Sequence, residues 1–235
     1  LKRYSMIGDG LSHVSFGALA IAAALNMAPL AVSIPLVIIA AFFLLRITES
    51  GSMRGDAAIA VFSSSSLAIG IIVTGLTTGI TTDVCNYMFG SVLAMSRTDV
   101  YVSVILSFAV LALFVVFYNR IFAVTFDEPF SRATGVRVDL YNSALAVLTA
   151  VTIVLGMRIM GALLISSLII FPALSAMRVC RYFKGVIICA AIISTVCFFI
   201  GICASFYLEI AVGASVVIAN LIVFITFSLA ARLRR

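Results

Sequence analysis

Eight times along this chain a predominantly apolar run of roughly 18–22 residues recurs, the length at which an α-helix crosses the hydrocarbon layer of a bilayer. The runs fall at 8–26, 29–46, 57–75, 99–118, 139–156, 159–177, 185–206 and 211–231. No water is left inside a bilayer to satisfy backbone N–H and C=O groups, so each lipid-exposed span must be a helix or a strand of a closed barrel. Barrel strands alternate apolar and polar residues over short segments, and that alternation is absent. The pattern predicts an all-α fold, a polytopic transmembrane helical bundle of about eight spans forming a single domain over 1–235. Composition agrees: 64% of the residues are hydrophobic and 10% charged, against about 25% charged in soluble domains.

The charges orient the bundle. With eight crossings starting on the inner side, only Arg97 and Arg158 fall outside, which leaves 13 of the 15 basic residues within. That asymmetry is the positive-inside pattern and predicts both termini of this chain in the cytoplasm. The net charge of +6 thus reflects membrane orientation, and no nucleic-acid partner is implied. The seven tyrosines fall near predicted span ends, where a ring with a polar tip sits best. The five cysteines show no C-x-x-C spacing and imply no disulfide framework.

Asp9 and the chain's single histidine, His13, break the first span. An aspartate at the centre of a membrane helix costs about 2.5–3.5 kcal/mol on insertion scales, and less near the boundary where Asp9 lies. Four residues apart, the two side chains share one helix face with Cβ atoms about 5–6 Å apart. A carboxylate oxygen and an imidazole nitrogen so placed suit one cation, at about 2.0–2.2 Å each for zinc. Two ligands leave the shell incomplete, which suits an ion that must be released. A hydrogen-bonded Asp–His pair stapling the helix into the bundle is equally compatible with the spacing. Further ligands are open among Asp83, Cys85, Asp56 and Glu209.

Two connections depart from the short-loop pattern. Residues 76–98 are semi-polar, too polar for a span, and read as a short helix at the surface or dipping into the bundle. Residues 119–138 form the longest inner connection and carry helix signals: Asp127 as cap, Glu128 at the positive dipole end, Pro129 in the first turn, Gly135 just past the end. Phe126 and Phe130, spaced i, i+4, would share one exposed face. They suit either a loop resting on the membrane or a helix laid into a partner's groove. Small residues such as Gly17, Ser63 to Ser66, Gly70, Ser167 and Gly201 mark helix-packing faces. Pro35 and Pro172 lie inside spans and are expected to bend them. No phosphate-binding glycine loop is present and the chain has just two lysines, so ATP-driven work needs a second polypeptide.

The stretches GDGLSHVSFGALA (8–20), DVCNYMFGSVLAMSRTDV (83–100), FDEPFSRATGV (126–136), MRIMGALLISSLIIFPALSAMR (157–178) and GASVVI (213–218) together resemble the permease subunit of the zinc/manganese-uptake ABC importers. The resemblance runs over the whole chain. It implies a helical fold similar to that of cobalamin and siderophore importers, with no permanently bound cofactor. The implied partners are a second copy of the permease, cytoplasmic ABC ATPase subunits and an extracytoplasmic metal-binding protein docking near 76–98 and 207–213. Asp9 and His13 match the family's D-x-x-x-H motif, associated with the metal path, and Asp83 and Cys85 are candidate additions to that path. Phe126, Asp127, Glu128, Pro129, Phe130, Arg132 and Gly135 match the loop that docks on the ATPase. Members usually carry one more span before the motif, so a first helix is expected to be missing here.

The expected function is therefore ATP-driven import of a divalent metal across the plasma (inner) membrane of a prokaryote, with hydrolysis on a partner chain. Zinc is the favoured ion on the matched stretches, while one Asp and one His also suit manganese or iron. A siderophore or cobalamin-type permease and a proton-coupled carrier are the alternatives.

Overall fold

The computed structural model describes residues 2–50, 55–77, 97–180 and 182–233, all of whose regular structure is helical. The helices are α1 (Lys2–Ala24), α2 (Pro29–Ser50), α3 (Gly55–Leu76), α4 (Arg97–Phe126), the short α5 (Glu128–Ala133), α6 (Val138–Met160), α7 (Ala162–Val179), α8 (Phe183–Leu208) and α9 (Val212–Leu233). Among the described residues, eight of them are long and apolar enough to cross a membrane. Each expected span therefore has its helix. α2 and α7 run without interruption through Pro35 and Pro172.

One boundary differs substantially. The fourth span was expected to end at 118, yet α4 continues to Phe126 as a single 30-residue helix. Hydropathy falls at Asn119 and Arg120, but the helical period does not. Phe114, Tyr118, Phe122 and Phe126 recur every fourth residue, with neighbouring ring centroids 6.1, 6.5 and 4.6 Å apart. Ile121 and Val124 beside this ladder are buried. Tyr118, expected at a span end, accordingly lies two turns inside. Phe126 ends α4 and does not share a helix with Phe130, which corrects the shared face expected for that pair.

The described residues form two compact units, one lying within 1–81 and 93–156 and the other within 157–235. In the first, α1 packs against both α2 and α3. The approach of α1 to α3 is backbone to backbone. A Cβ added to Gly17 would lie 2.7 Å from the Ser66 carbonyl oxygen, and one on Gly70 would lie 2.7 Å from the Phe16 ring and 3.2 Å from Gly17 Cα. Helices in lipid gain little from hydrophobic exclusion and associate through such close contact. α4 meets α6 edge-on through Phe117 and Tyr141, centroids 6.0 Å apart.

In the second unit α7, α8 and α9 contact one another pairwise. Ala176, Ile193 and Cys197 form a buried cluster, and Phe171 meets Phe224 at 5.9 Å. Gly201 abuts α9 so closely that a Cβ there would stand 2.6 Å from Val216 Cα. The turn into α9 places Glu209 in a left-handed conformation (φ 55), closed by the Ser205 hydroxyl donating to the Ile210 carbonyl. The described cysteines are free thiols.

Candidate functional site

α1 is the most enclosed span, with 72% of its apolar window buried. Within residues 7–20 every residue is buried except two, Asp9 and His13, which are half-buried. Their spacing of one helical turn puts both on one strip, so the packing around α1 opens along a single line and the two ionisable side chains occupy it. Ile7, Gly8, Gly10, Leu11, Ser12 and Val14 close in on either side. Intramembrane ionisable groups face a bundle interior or a watered cavity, because hydrocarbon is too costly a neighbour.

The Ser12 hydroxyl donates to the Asp9 backbone carbonyl at 2.7 Å. Neither the Asp9 carboxylate nor the His13 imidazole is hydrogen-bonded or ion-paired to another described residue. The stapled Asp–His pair weighed above is thus not formed. No third His, Cys, Asp or Glu joins them into a metal-holding group among the described residues. Asp83 and Cys85 lie outside the described residues, as does most of 76–98. Asp56 is exposed in the first turn of α3, and Glu209 is exposed in the turn before α9. A separate groove among α1, α2 and α3, lined by Val14, Ile21, Leu36, Phe43 and Ile69, holds no ionisable side chain. Its chemistry suits hydrocarbon.

The loop between α4 and α6 follows its sequence signals closely. Asp127 caps α5, its Oδ1 accepting from the Phe130 N–H at 3.0 Å, with Pro129 in the first turn. At the far end the Val136 N–H donates to the Ser131 carbonyl (3.0 Å) and the Gly135 N–H to that of Arg132 (3.1 Å). With Gly135 at φ 80, this is the paired closure that lets a helix stop at a left-handed residue. Phe130 stands 63% exposed on this otherwise polar turn. Replacing Asp127 by Ala removes a cap worth about 1 kcal/mol; amide exchange over 128–133 is then expected to quicken about fivefold, while α4 amides keep their protection.

Arg132 holds a position the sequence did not disclose. Its Nη2 donates to Glu128 Oε1 at 3.2 Å and to Asp139 Oδ1 at 2.7 Å. The Glu128 hydrogen bond first, and the Asp139 charge second, hold the guanidinium above its ordinary pKa. Asp139, in the first turn of α6, is the residue that sequence reasoning missed. The available signal was a carboxylate seven residues beyond an arginine across a glycine turn.

A model of the ABC 3 transport family matches residues 1–231. The chain is 29% identical over 224 residues to the high-affinity zinc uptake system membrane protein ZnuB of Haemophilus influenzae, covering 95% of this chain and 86% of that one. It is 26% identical over 225 residues to the manganese import system permease protein ScaB of Streptococcus gordonii, covering 96% and 81% respectively. Its fold superposes with a TM-score of 0.84 on the solved structure of PsaBC from Streptococcus pneumoniae in complex with Fab, at 28% identity over 95% of this chain and 80% of that one.

Proposed function

The chain belongs to the ABC 3 transport family, and on that footing we propose that it imports zinc into a bacterial cytoplasm. It is a multi-pass permease of a metal-transporting ABC system. The carrying observation is that Asp9 and His13 alone escape burial within residues 7–20 of α1, neither bonded to another described residue. An ion released by an extracytoplasmic binding protein reaches this strip between two permease copies. There it exchanges part of its water shell for one carboxylate oxygen and one imidazole nitrogen. Two protein ligands hold it briefly, and water completes the shell, so release costs little.

Zinc is favoured because imidazole nitrogen suits it well and because ZnuB is a zinc-uptake protein. Manganese is the second reading, favoured by the similar identity to ScaB. α5 presents Phe130 to a cytoplasmic ATPase, whose closure on ATP drives the change of access, with both chain termini on that same side of the inner membrane.

Reconstitution with the ATPase and binding protein in proteoliposomes tests this. Zinc is expected to accumulate only with ATP and faster than manganese or iron. Manganese taken up in preference overturns the choice of cargo; accumulation without ATP overturns the ATP-driven assignment.

A further inference from the structure

We propose that Arg132 is a positioning residue that locks α5 to the first turn of α6, so that displacement of α5 is delivered to α6 as well as to α4. The proposal rests on the docking role given above to the loop between α4 and α6. Its starting point is an asymmetry. One residue, Asp127, separates α5 from α4, so those two helices are tied through the backbone itself. On the other side, residues 134–137 intervene before α6. A four-residue connection left alone bends and absorbs a push.

Two devices stiffen it. The paired closure at Gly135 fixes the backbone over 131–136. The Arg132 guanidinium then spans the gap: Glu128, one turn back on α5, takes Nε at 3.4 Å and Nη2 at 3.2 Å, while Asp139 on α6 takes Nη2 at 2.7 Å. Glu128 therefore aims the fork and Asp139 receives it. A planar guanidinium serves two acceptors in fixed directions, which a lysine ammonium does not. Asp139 is further favoured by the positive end of the α6 dipole.

Exposed ion pairs such as this one contribute little to folding stability. A merely structural role thus predicts almost no effect of breaking this one. A role in setting the angle between α5 and α6 predicts that transport separates from hydrolysis.

The test uses the complete transporter in proteoliposomes, with uptake and ATP hydrolysis measured in the same vesicles. Asp139→Asn, outside the docking loop, is expected to retain ATPase binding and hydrolysis, and Arg132→Gln is compared with it at equal ATPase occupancy. Ions carried per ATP should fall by up to about fivefold, the ceiling an exposed pair can supply. The exchanged pair R132D/D139R is expected to restore part of the loss, since the guanidinium at 139 again faces a carboxylate at 132, now without Glu128 to aim it. Singles that keep the parent ratio, an Asp139→Asn variant that fails to bind the ATPase, or an exchange no better than the singles each overturn the proposal. Phe130→Asp separates the two ideas. If ATPase co-purification survives it, the docking role falls and takes the strut with it. If co-purification is lost while Arg132→Gln stays coupled, the strut alone falls.

Discussion

Replacing Asp9 and His13 together with alanine is expected to abolish metal uptake while leaving the amount of folded protein in the membrane unchanged. The two halves of that result come from different physics. Neither side chain is bonded to another described residue, so truncation strands no buried partner and removes a carboxylate that membrane insertion disfavours. Stability should hold or rise slightly. Uptake should not survive, because removing even the outer-shell partner of a ligand costs about 10–100-fold in metal affinity, and here both proposed ligands go. Either single variant is expected to retain a small residual rate. The check is radiolabelled zinc uptake beside quantitative detection of detergent-extracted protein by size exclusion. Uptake at the parent rate removes the pair from the ion's route. A loss of extracted protein in step with uptake assigns it a packing role instead.

Gly201→Ala and Gly17→Ala are each expected to destabilise this chain markedly. The new Cβ at 201 would stand 2.6 Å from Val216 Cα and 2.7 Å from its nitrogen, and that at 17 would stand 2.7 Å from the Ser66 carbonyl oxygen. These neighbours are backbone, so relief requires whole helices to part. Overpacking of this kind costs about 1–3 kcal/mol, and each kcal/mol lowers the melting temperature of a chain this size by about 2–4 °C. Gly75 on α3 is the matched control, since a Cβ there would meet nothing within 4 Å and alanine is the better helix former. Thermal melts of the three variants in one detergent check the contrast. Equal melting of Gly201→Ala and Gly75→Ala would mean that α8 and α9 are not packed this closely.

The spans were legible because a bilayer imposes one length and one backbone solution on every crossing, and hydropathy reports both. Their ends were legible only where hydropathy and helical period stop together. In α4 they part at Asn119, and the aromatic ladder carries the helix on to Phe126. The α5 cap and stop were readable because capping is local: Asp127, Pro129 and Gly135 act within four residues of their partners. Arg132 was visible as a basic residue in the loop, but its bond to Asp139 depends on how the chain folds back after Gly135.

At Asp9 and His13 the residue types and spacing were plain. That they alone escape burial between 7 and 20 depends on how tightly α1 is enclosed, and no pattern in one helix reveals that. Asp83 and Cys85 stand where the sequence left them, as candidates outside the described residues.

The unbroken length of α4 makes it a crank arm. Its 30 residues reach about 45 Å at 1.5 Å per residue, and its C-terminal end is tied to α5 through Asp127, whose N–H and C=O are both bonded to the flanking helices. A tilt of about 10° about that end would sweep the far tip through about 8 Å. A stroke too small to notice at one end is ample at the other to open or shut a gap the width of a hydrated ion.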